Sequence, residues 1–290
     1  MTMGVNLLAA ARFSAARAPV LDLIGTTALG AYSMRRTRSA WTGAILRVRR
    51  SSDSAEQDIG YSGTGDLDVT ALLAFCGAGD GFLVTSYDQM GGARHQTQAT
   101  AALQMQIVAS GVYIGAMRVN TGTIQRATVT DAAFGLAASA LTVCSAMRAI
   151  GAGGTAMGLI WGLGTVAGAR LYPGTSASGL DLVNRPSGAN IAASPTQTFS
   201  GGPCTLALTK TATANLSAVS TRLNNGAAST YAAAAIAATD NSFGMNNTAT
   251  GTVSGIHDHF EHLVFAAELS AADLSVIALS QGAAVGATVA

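Results

Sequence analysis

Beyond residue 111 the chain is cut into short apolar or β-branched segments by clusters of Gly, Asn, Ser and Pro, and this punctuation constrains the fold more than any other feature. Runs of roughly four to eight residues between turn signals are too short for packed helices but suit the strands of a sandwich. The clearest strand candidates are Leu141-Thr142-Val143, Leu159-Ile160-Trp161, Ala169-Arg170-Leu171-Tyr172, Thr205-Leu206-Ala207-Leu208 and Phe260 to Phe265. Asn224-Asn225-Gly226 is the best hairpin turn, because these residues tolerate the positive φ a tight turn requires. Near the end, Ser270-Ala271-Ala272-Asp273 fits a helix cap leading into Leu274, Ile277 and Ala278 on one face.

Upstream the pattern differs. Residues 5 to 17 space Leu7, Leu8, Ala11 and Ala15 at helical intervals before Pro19, which reads as an amphipathic arm. Apolar and basic residues alternate from Ala44 to Arg50, predicting a half-exposed strand. Asp66 or Asp68 can cap a helix through Ala71, Leu72 and Phe75 that Gly77 closes, and Phe82-Leu83-Val84-Thr85 is strand-like. The expected class is mainly β: an arm at 1–20, a small α/β unit at 21–110, and a β-sandwich at 111–290.

Only 11% of residues are charged, against roughly 25% in ordinary globular proteins, and the hydrophobic share is 49%. This excludes a disordered chain and a classical nucleic-acid binder. Residues 1 to 50 hold eight Arg against Asp22 alone, while residues 51 to 90 hold seven acids and no basic residue, so Arg47, Arg49 and Arg50 are expected to pair within the molecule. The single lysine, Lys210, stands far from any Gly-rich loop, so there is no phosphate cradle, and Gly77 to Gly81 and Gly151 to Gly154 read as turns. Cys76, Cys144 and Cys204 give neither a disulfide framework nor a metal knuckle. Ala149 to Ala169 is uncharged and long enough for a span, but its seven glycines argue for strands and turns, so no membrane insertion is expected. The arm lacks a clean cleavage site and is expected to be unprocessed.

Several motifs in fixed order carry a resemblance: Ala31-Tyr32-Ser33-Met34-Arg35-Arg36, Arg47-Val48-Arg49-Arg50-Ser51-Ser52-Asp53, Asp58-Ile59-Gly60, Ala74-Phe75-Cys76, and Tyr87-Asp88-Gln89 with Gly91, Gly92, Arg94, His95 and Thr97-Gln98-Ala99. Together they resemble the arabinofuranosidase B catalytic-domain family over residues 30 to 100. Similar segments occur in tailed-phage and prophage structural proteins, followed by a concanavalin-like, laminin-G-like jelly roll. The closing stretch, Gly255-Ile256, Phe260 to Phe265 and the helix to Gln281, is similar to the end of that module. The resemblance implies an all-β second domain. It also implies a disulfide at Cys76 in the fungal enzymes, which this chain lacks because residues 77 to 82 hold no second cysteine.

Furanoside hydrolysis needs two carboxyl groups across the sugar. After residue 135 the acids are Asp181, Asp240, Asp258, Glu261, Glu268 and Asp273, and none aligns with the family's catalytic signature. Asp258 and Glu261, three apart on a strand, are expected on opposite faces. By the same alternation His257, His259 and Glu261 share a face and offer a two-His-one-carboxylate metal set, while Phe260, His262 and Val264 share the other; the plainer reading is an exposed strand face. Tyr87, Asp88, Gln89, Arg94 and His95 could form a sugar-binding corner or merely brace a turn. Trp41 and Trp161 could stack on sugars, although Trp161 reads as core. No catalytic, cofactor or metal residues are therefore assigned.

The leading expectation is a non-enzymatic tailed-phage virion protein, made in the bacterial cytoplasm, with a lectin-like jelly roll. It would contact other virion proteins and a host-surface glycan, assemble as a homo-oligomer, and use the arm for attachment. The alternative is a glycoside hydrolase acting on arabinofuranosides or related surface glycans, and the third reading is a plain glycan-binding module.

Overall fold

The computed structural model describes residues 18–120, 125, 127–130, 140–149, 158–159, 161–163, 171–176, 179–184, 191–193, 202–210, 219–231, 242–245 and 257–290. The predicted arm up to residue 17, the Gly151 to Gly154 turn and Asp240 lie outside them. The strands are β1 (Gly30–Ser33), β2 (Leu46–Arg50), β3 (Glu56–Ile59), β4 (Gly81–Ser86), β5 (Gln96–Thr97), β6 (Gln106–Ala109), β7 (Val112–Val119), β8 (Ala127–Thr130) and β9 (Leu141–Ala149). They continue as β10 (Gly158–Leu159), β11 (Trp161–Leu163), β12 (Leu171–Ser176), β13 (Gly179–Asn184), β14 (Ile191–Ala193), β15 (Pro203–Lys210), β16 (Val219–Leu223), β17 (Ser229–Tyr231), β18 (Ser242–Met245) and β19 (His257–Phe265). The α-helices are α1 (Val69–Cys76) and α2 (Ala271–Val285). The protein is mainly β, as the punctuation implied, and no described helix is long and apolar enough to cross a membrane.

Local chemistry sets the ends of these elements. The Asp68 carboxylate accepts from the Ala71 amide at 2.9 Å, Ser270 Oγ accepts from the Asp273 amide at 3.1 Å, and Gly286 closes α2 at φ 74°. Asn224 and Asn225, at φ 49° and 60°, turn the chain after β16, and the Gly226 amide returns to the Leu223 carbonyl at 2.9 Å.

β19 organises the sheet. One edge pairs antiparallel with β9, and the other is shared: β7 takes His257 to His259, and β1 takes Glu261 to Val264. β9 continues the ladder to β15, β16 and β17, while β7 leads through β6 and β4 to β2 and β3. The hydrogen-bonded ladder thus runs across residue 110, because β1 and β7 lie on the same edge of β19.

Two cores flank this sheet. One gathers Leu46, Val48, Ile59, Leu72 and Leu83 with Met117 and Val119 of β7. The other packs Leu269, Leu274 and Ile277 against Ala31, Cys144, Leu263 and Phe265. Burying each of these large side chains contributes about 1.5 to 3 kcal/mol before entropy is counted. With a core on each side, β19 is buried on both faces, and the plain reading of an exposed His face fails.

Candidate functional site

The predicted alternation along β19 breaks at Phe260. His257, Asp258 and His259 oppose Ala149, Arg148 and Met147 of β9, but the next pair is Glu261 with Ala146, so Phe260 is an extra residue in a β-bulge. A bulge shifts every later side chain to the other face. His257, His259 and His262 therefore share one face, and Asp258 and Glu261 share the other. Both face assignments made from spacing alone are corrected: the two carboxylates are not on opposite faces, and the His257, His259 and Glu261 metal set does not converge. Among the described residues no group of three His, Cys, Asp or Glu is placed to hold a metal ion.

The bulge sits where β1 and β7 part on the edge of β19, and the Met34 amide still reaches the Phe260 carbonyl at 3.1 Å. A cavity of about 330 Å³ opens there, lined by Arg35, Asp66, Tyr113, Phe260, Glu261 and Gln281 among others. Glu261 is the fixed charge. Arg35 grips it with two bonds, Nε to Oε2 at 2.8 Å and Nη2 to Oε1 at 3.1 Å, and Ser33 Oγ donates to Oε2 at 2.8 Å. Burial alone disfavours the charged carboxylate, but the Arg35 charge and bonds with the Ser33 hydroxyl outweigh it and hold Glu261 below the usual range. Asp66 lines the same cavity; its carboxylate accepts from Thr64 Oγ1 at 3.0 Å and its backbone bridges Arg35. Burial chiefly, helped by Asp66, pushes Tyr113 up to about 12, so its hydroxyl keeps its proton. Gln281, 1% exposed, lines the same cavity, and its side-chain amide adds to the groups that favour the charged Glu261 carboxylate.

A second cavity of about 320 Å³ lies beside the first and shares Arg35, Asp66 and Ala284 with it. Its own walls bring in Arg36, Thr64, Gly65 and Ser280.

Gln89 fixes the segment that carries both arginines. Its Oε1 accepts from the Thr37 amide at 2.8 Å and Thr37 Oγ1 at 2.9 Å, and its Nε2 donates to the Arg35 carbonyl at 2.9 Å. Asp88 Oδ1 accepts from the Ala31 and Met90 amides, and the Asp88 amide donates to His95 Nδ1 at 3.1 Å. Tyr87 donates to Asp58 at 2.7 Å, and Arg94 Nη1 to the Leu29 carbonyl at 3.0 Å. The polar corner thus braces β1 from behind, chiefly through side-chain to backbone bonds. Trp41 donates its indole N–H to the Ala44 carbonyl at 3.2 Å. The side chain of Trp161 lies outside the described residues.

The remaining charged and ring groups of β19 are structural. Asp258 is buried between Arg118, at 2.8 and 3.0 Å, and Arg148, which packs near Phe260. On the other face His262 Nδ1 meets Ser145 Oγ at 2.9 Å, and His262 Nε2 meets His259 Nδ1 at 3.1 Å. Burial depresses both imidazoles, His262 to about 3 and His259 well below its usual value, with the other histidines adding to the latter. Cys76, Cys144 and Cys204 are free and buried. Spacing did not single out Ser33, Arg35, Asp66 or Tyr113; the available signal was the Ser33-Met34-Arg35-Arg36 run within the first resembling motif.

The family model of the catalytic domain of α-L-arabinofuranosidase B matches residues 20–139. A comparison with curated proteins finds no match. Among solved structures, an arabinofuranosidase complexed with arabinofuranosyl-α-1,2-xylobiose is similar with a TM-score of 0.67 at 15% identity, covering 93% of this chain and 65% of that one. A GH54 α-L-arabinofuranosidase soaked with a cyclic sulfate inhibitor gives 0.65 at 14% identity over the same shares. Trypanosoma rangeli sialidase with 2,3-difluorosialic acid gives 0.52 at 13% identity, covering 69% of this chain and 31% of that one. The chain spans 65% of the length of these arabinofuranosidases. These matches overturn the expectation of a non-enzymatic phage virion protein: the matched family is a catalytic domain, and the arabinofuranosidases share the fold over nearly the whole chain. They favour the glycoside-hydrolase alternative, and the fold is the antiparallel β architecture of those enzymes.

Proposed function

We propose that the protein is a glycoside hydrolase acting on arabinofuranosides or related glycans, with the cavity between β1 and β7 as its site. The observation that carries this reading is that residues 20–139, the part matching a catalytic domain, supply Arg35, Asp66 and Tyr113 to the cavity whose other wall is Glu261 and Gln281. Hydrolysis breaks the bond from the anomeric carbon to the leaving oxygen, which takes a proton while water supplies the new hydroxyl. In this reading Asp66 delivers the proton to the leaving oxygen and takes one back from the attacking water, and Glu261, held ionised by Arg35, stabilises positive charge at the anomeric carbon. The Gln281 amide, which lines the cavity beside Glu261, donates to a ring hydroxyl.

Release of 4-nitrophenol from 4-nitrophenyl α-L-arabinofuranoside and of arabinose from arabinoxylan tests the reading. Turnover by the wild-type protein, lost by at least about a hundredfold in both D66N and E261Q, supports it. A folded wild-type protein that releases nothing from either substrate refutes it. The division at residue 110, with a jelly roll at 111–290, stands as a separate proposal. Expressing residues 111–290 alone tests it, and because β1 completes the edge of β19, an unfolded fragment would overturn it.

A further inference from the structure

Asp258 is answered by two positive charges. β19 lays it directly opposite Arg118 of β7 on one edge and Arg148 of β9 on the other, and both guanidiniums converge on it. Arg118 forks across the carboxylate, Nε to Oδ1 at 2.8 Å and Nη2 to Oδ2 at 3.0 Å, and Arg148 brings Nε to Oδ2 at 2.9 Å with its Nη2 on the same oxygen. The carboxylate is wholly buried, whereas the two arginine side chains are 28% and 34% exposed. One guanidinium balances one buried carboxylate, so the second leaves the trio with a surplus positive charge. The next strands out add no acid. Arg118 faces Gln106 of β6, whose Oε1 accepts from Asn120 Nδ2 at 3.0 Å, and Arg148 faces Pro203 of β15.

Two like charges drawn onto one anchor repel each other, and a further negative group relieves that repulsion. Each guanidinium spends its Nε and Nη2 on Asp258, and among the described residues neither Nη1 donates to an acceptor. The remaining donors are held in place by bonds to a buried group, which lowers the ordering cost that a long side chain pays on binding. A single surplus charge matches a carboxylate better than a phosphate that is close to dianionic. The Arg148 guanidinium also lies 5.9 Å from the centre of the Phe260 ring, and Phe260 lines the cavity of about 330 Å³ together with Glu261, which shares a face of β19 with Asp258. In a sugar acid the carboxylate is attached directly to the ring, so a ring against Phe260 brings its carboxylate to the arginines.

We propose that Arg118 and Arg148, anchored on Asp258, form a binding site for a carboxylate, and that this carboxylate belongs to an acidic sugar whose ring enters the Phe260 cavity. Taking that cavity as a sugar site rests on the hydrolase reading above; the carboxylate site concerns binding and needs no turnover.

The test is a titration of the wild-type protein, followed by NMR at constant ionic strength, with sodium D-glucuronate, sodium acetate and D-glucose. Glucuronate should bind saturably and at least about tenfold more tightly than either of the others, because only it carries both ring and charge. R118M and R148M each leave one arginine to balance Asp258, so both should stay folded by thermal melting, and each should weaken glucuronate binding about tenfold or more, with partial recovery in R118K and R148K. If either methionine variant fails to fold, the lysine variants, which keep the charge and lose the fork, carry the comparison against the wild type. Glucuronate binding that is absent, or indifferent to all four variants, overturns the site, and acetate or glucose bound as tightly as glucuronate overturns the acidic-sugar assignment. Each of these results leaves arabinofuranoside hydrolysis to be judged by its own assay, and a protein that hydrolyses nothing yet binds glucuronate through both arginines supports the site alone.

Discussion

Acid should unfold this protein through two histidines that have no part in the proposed chemistry. His259 and His262 are fully buried, face each other across 3.1 Å, and pack among Met117, Met147, Tyr32 and Ser145, with His257 on the same face. The bulge sends Asp258 and Glu261 to the other face, and the Glu261 charge, which favours protonated His262, does not offset its burial. Both imidazoles stay neutral when folded but titrate near 6.5 when unfolded, so the unfolded chain binds protons first and stability falls as the pH drops below about 6.5. From pH 7 to pH 5 each group costs about 2 kcal/mol, together about 4 kcal/mol, a large part of a typical 5 to 15 kcal/mol. Glu261 does not contribute in that window, because its folded value is depressed and its stabilisation is lost only at lower pH. Urea unfolding at pH 7, 6, 5.5 and 5 measures the slope, and H262Q should flatten it by about 1.4 kcal/mol per pH unit toward its acid end, whatever its effect at pH 7. A wild-type stability that changes by less than about 1 kcal/mol across this range, or an equal slope in H262Q, would refute the argument.

Three further outcomes follow from contacts around the site. R35M should lower stability by about 3 kcal/mol, read by thermal melting, because it strands the Glu261 charge in a site that is only 3% exposed. Q89A removes three bonds to Arg35 and Thr37, two of them buried, and should cost about 2 to 3 kcal/mol in chemical denaturation. G111A should destabilise by about 1 to 3 kcal/mol, since its φ is 77° and a Cβ there would sit 2.9 Å from the Gly77 carbonyl; a melt unchanged within a degree would contradict the backbone geometry.

The sequence by itself determined whatever depends on near neighbours. Asp68, Ser270 and Gly77 mark the ends of α1 and α2 because caps act within one turn, and Asn224-Asn225-Gly226 marks a turn because φ tolerance belongs to single residues. The predominance of strands was legible for the same reason, as was pairing of the early arginines with the following acids, which holds for Arg47 and Arg50 but not for Arg49, whose guanidinium donates to Gln104. Arg35 departs from that rule. It ignores the nearby acids for Glu261, 226 residues away, because β1 is laid beside β19 and a buried carboxylate needs a charged partner more than an exposed one does. Only the tertiary structure decided which face of β19 each side chain takes. Strict alternation puts His259 with Glu261, and one extra residue at Phe260, inserted where β7 gives way to β1, reverses every position after it. That reversal sets Glu261 beside Arg35 in the cavity that Asp66 also lines, and it seals the histidines into a core. No local signal announces it, because the bulge is imposed by two strands that meet one edge of β19 from distant parts of the chain.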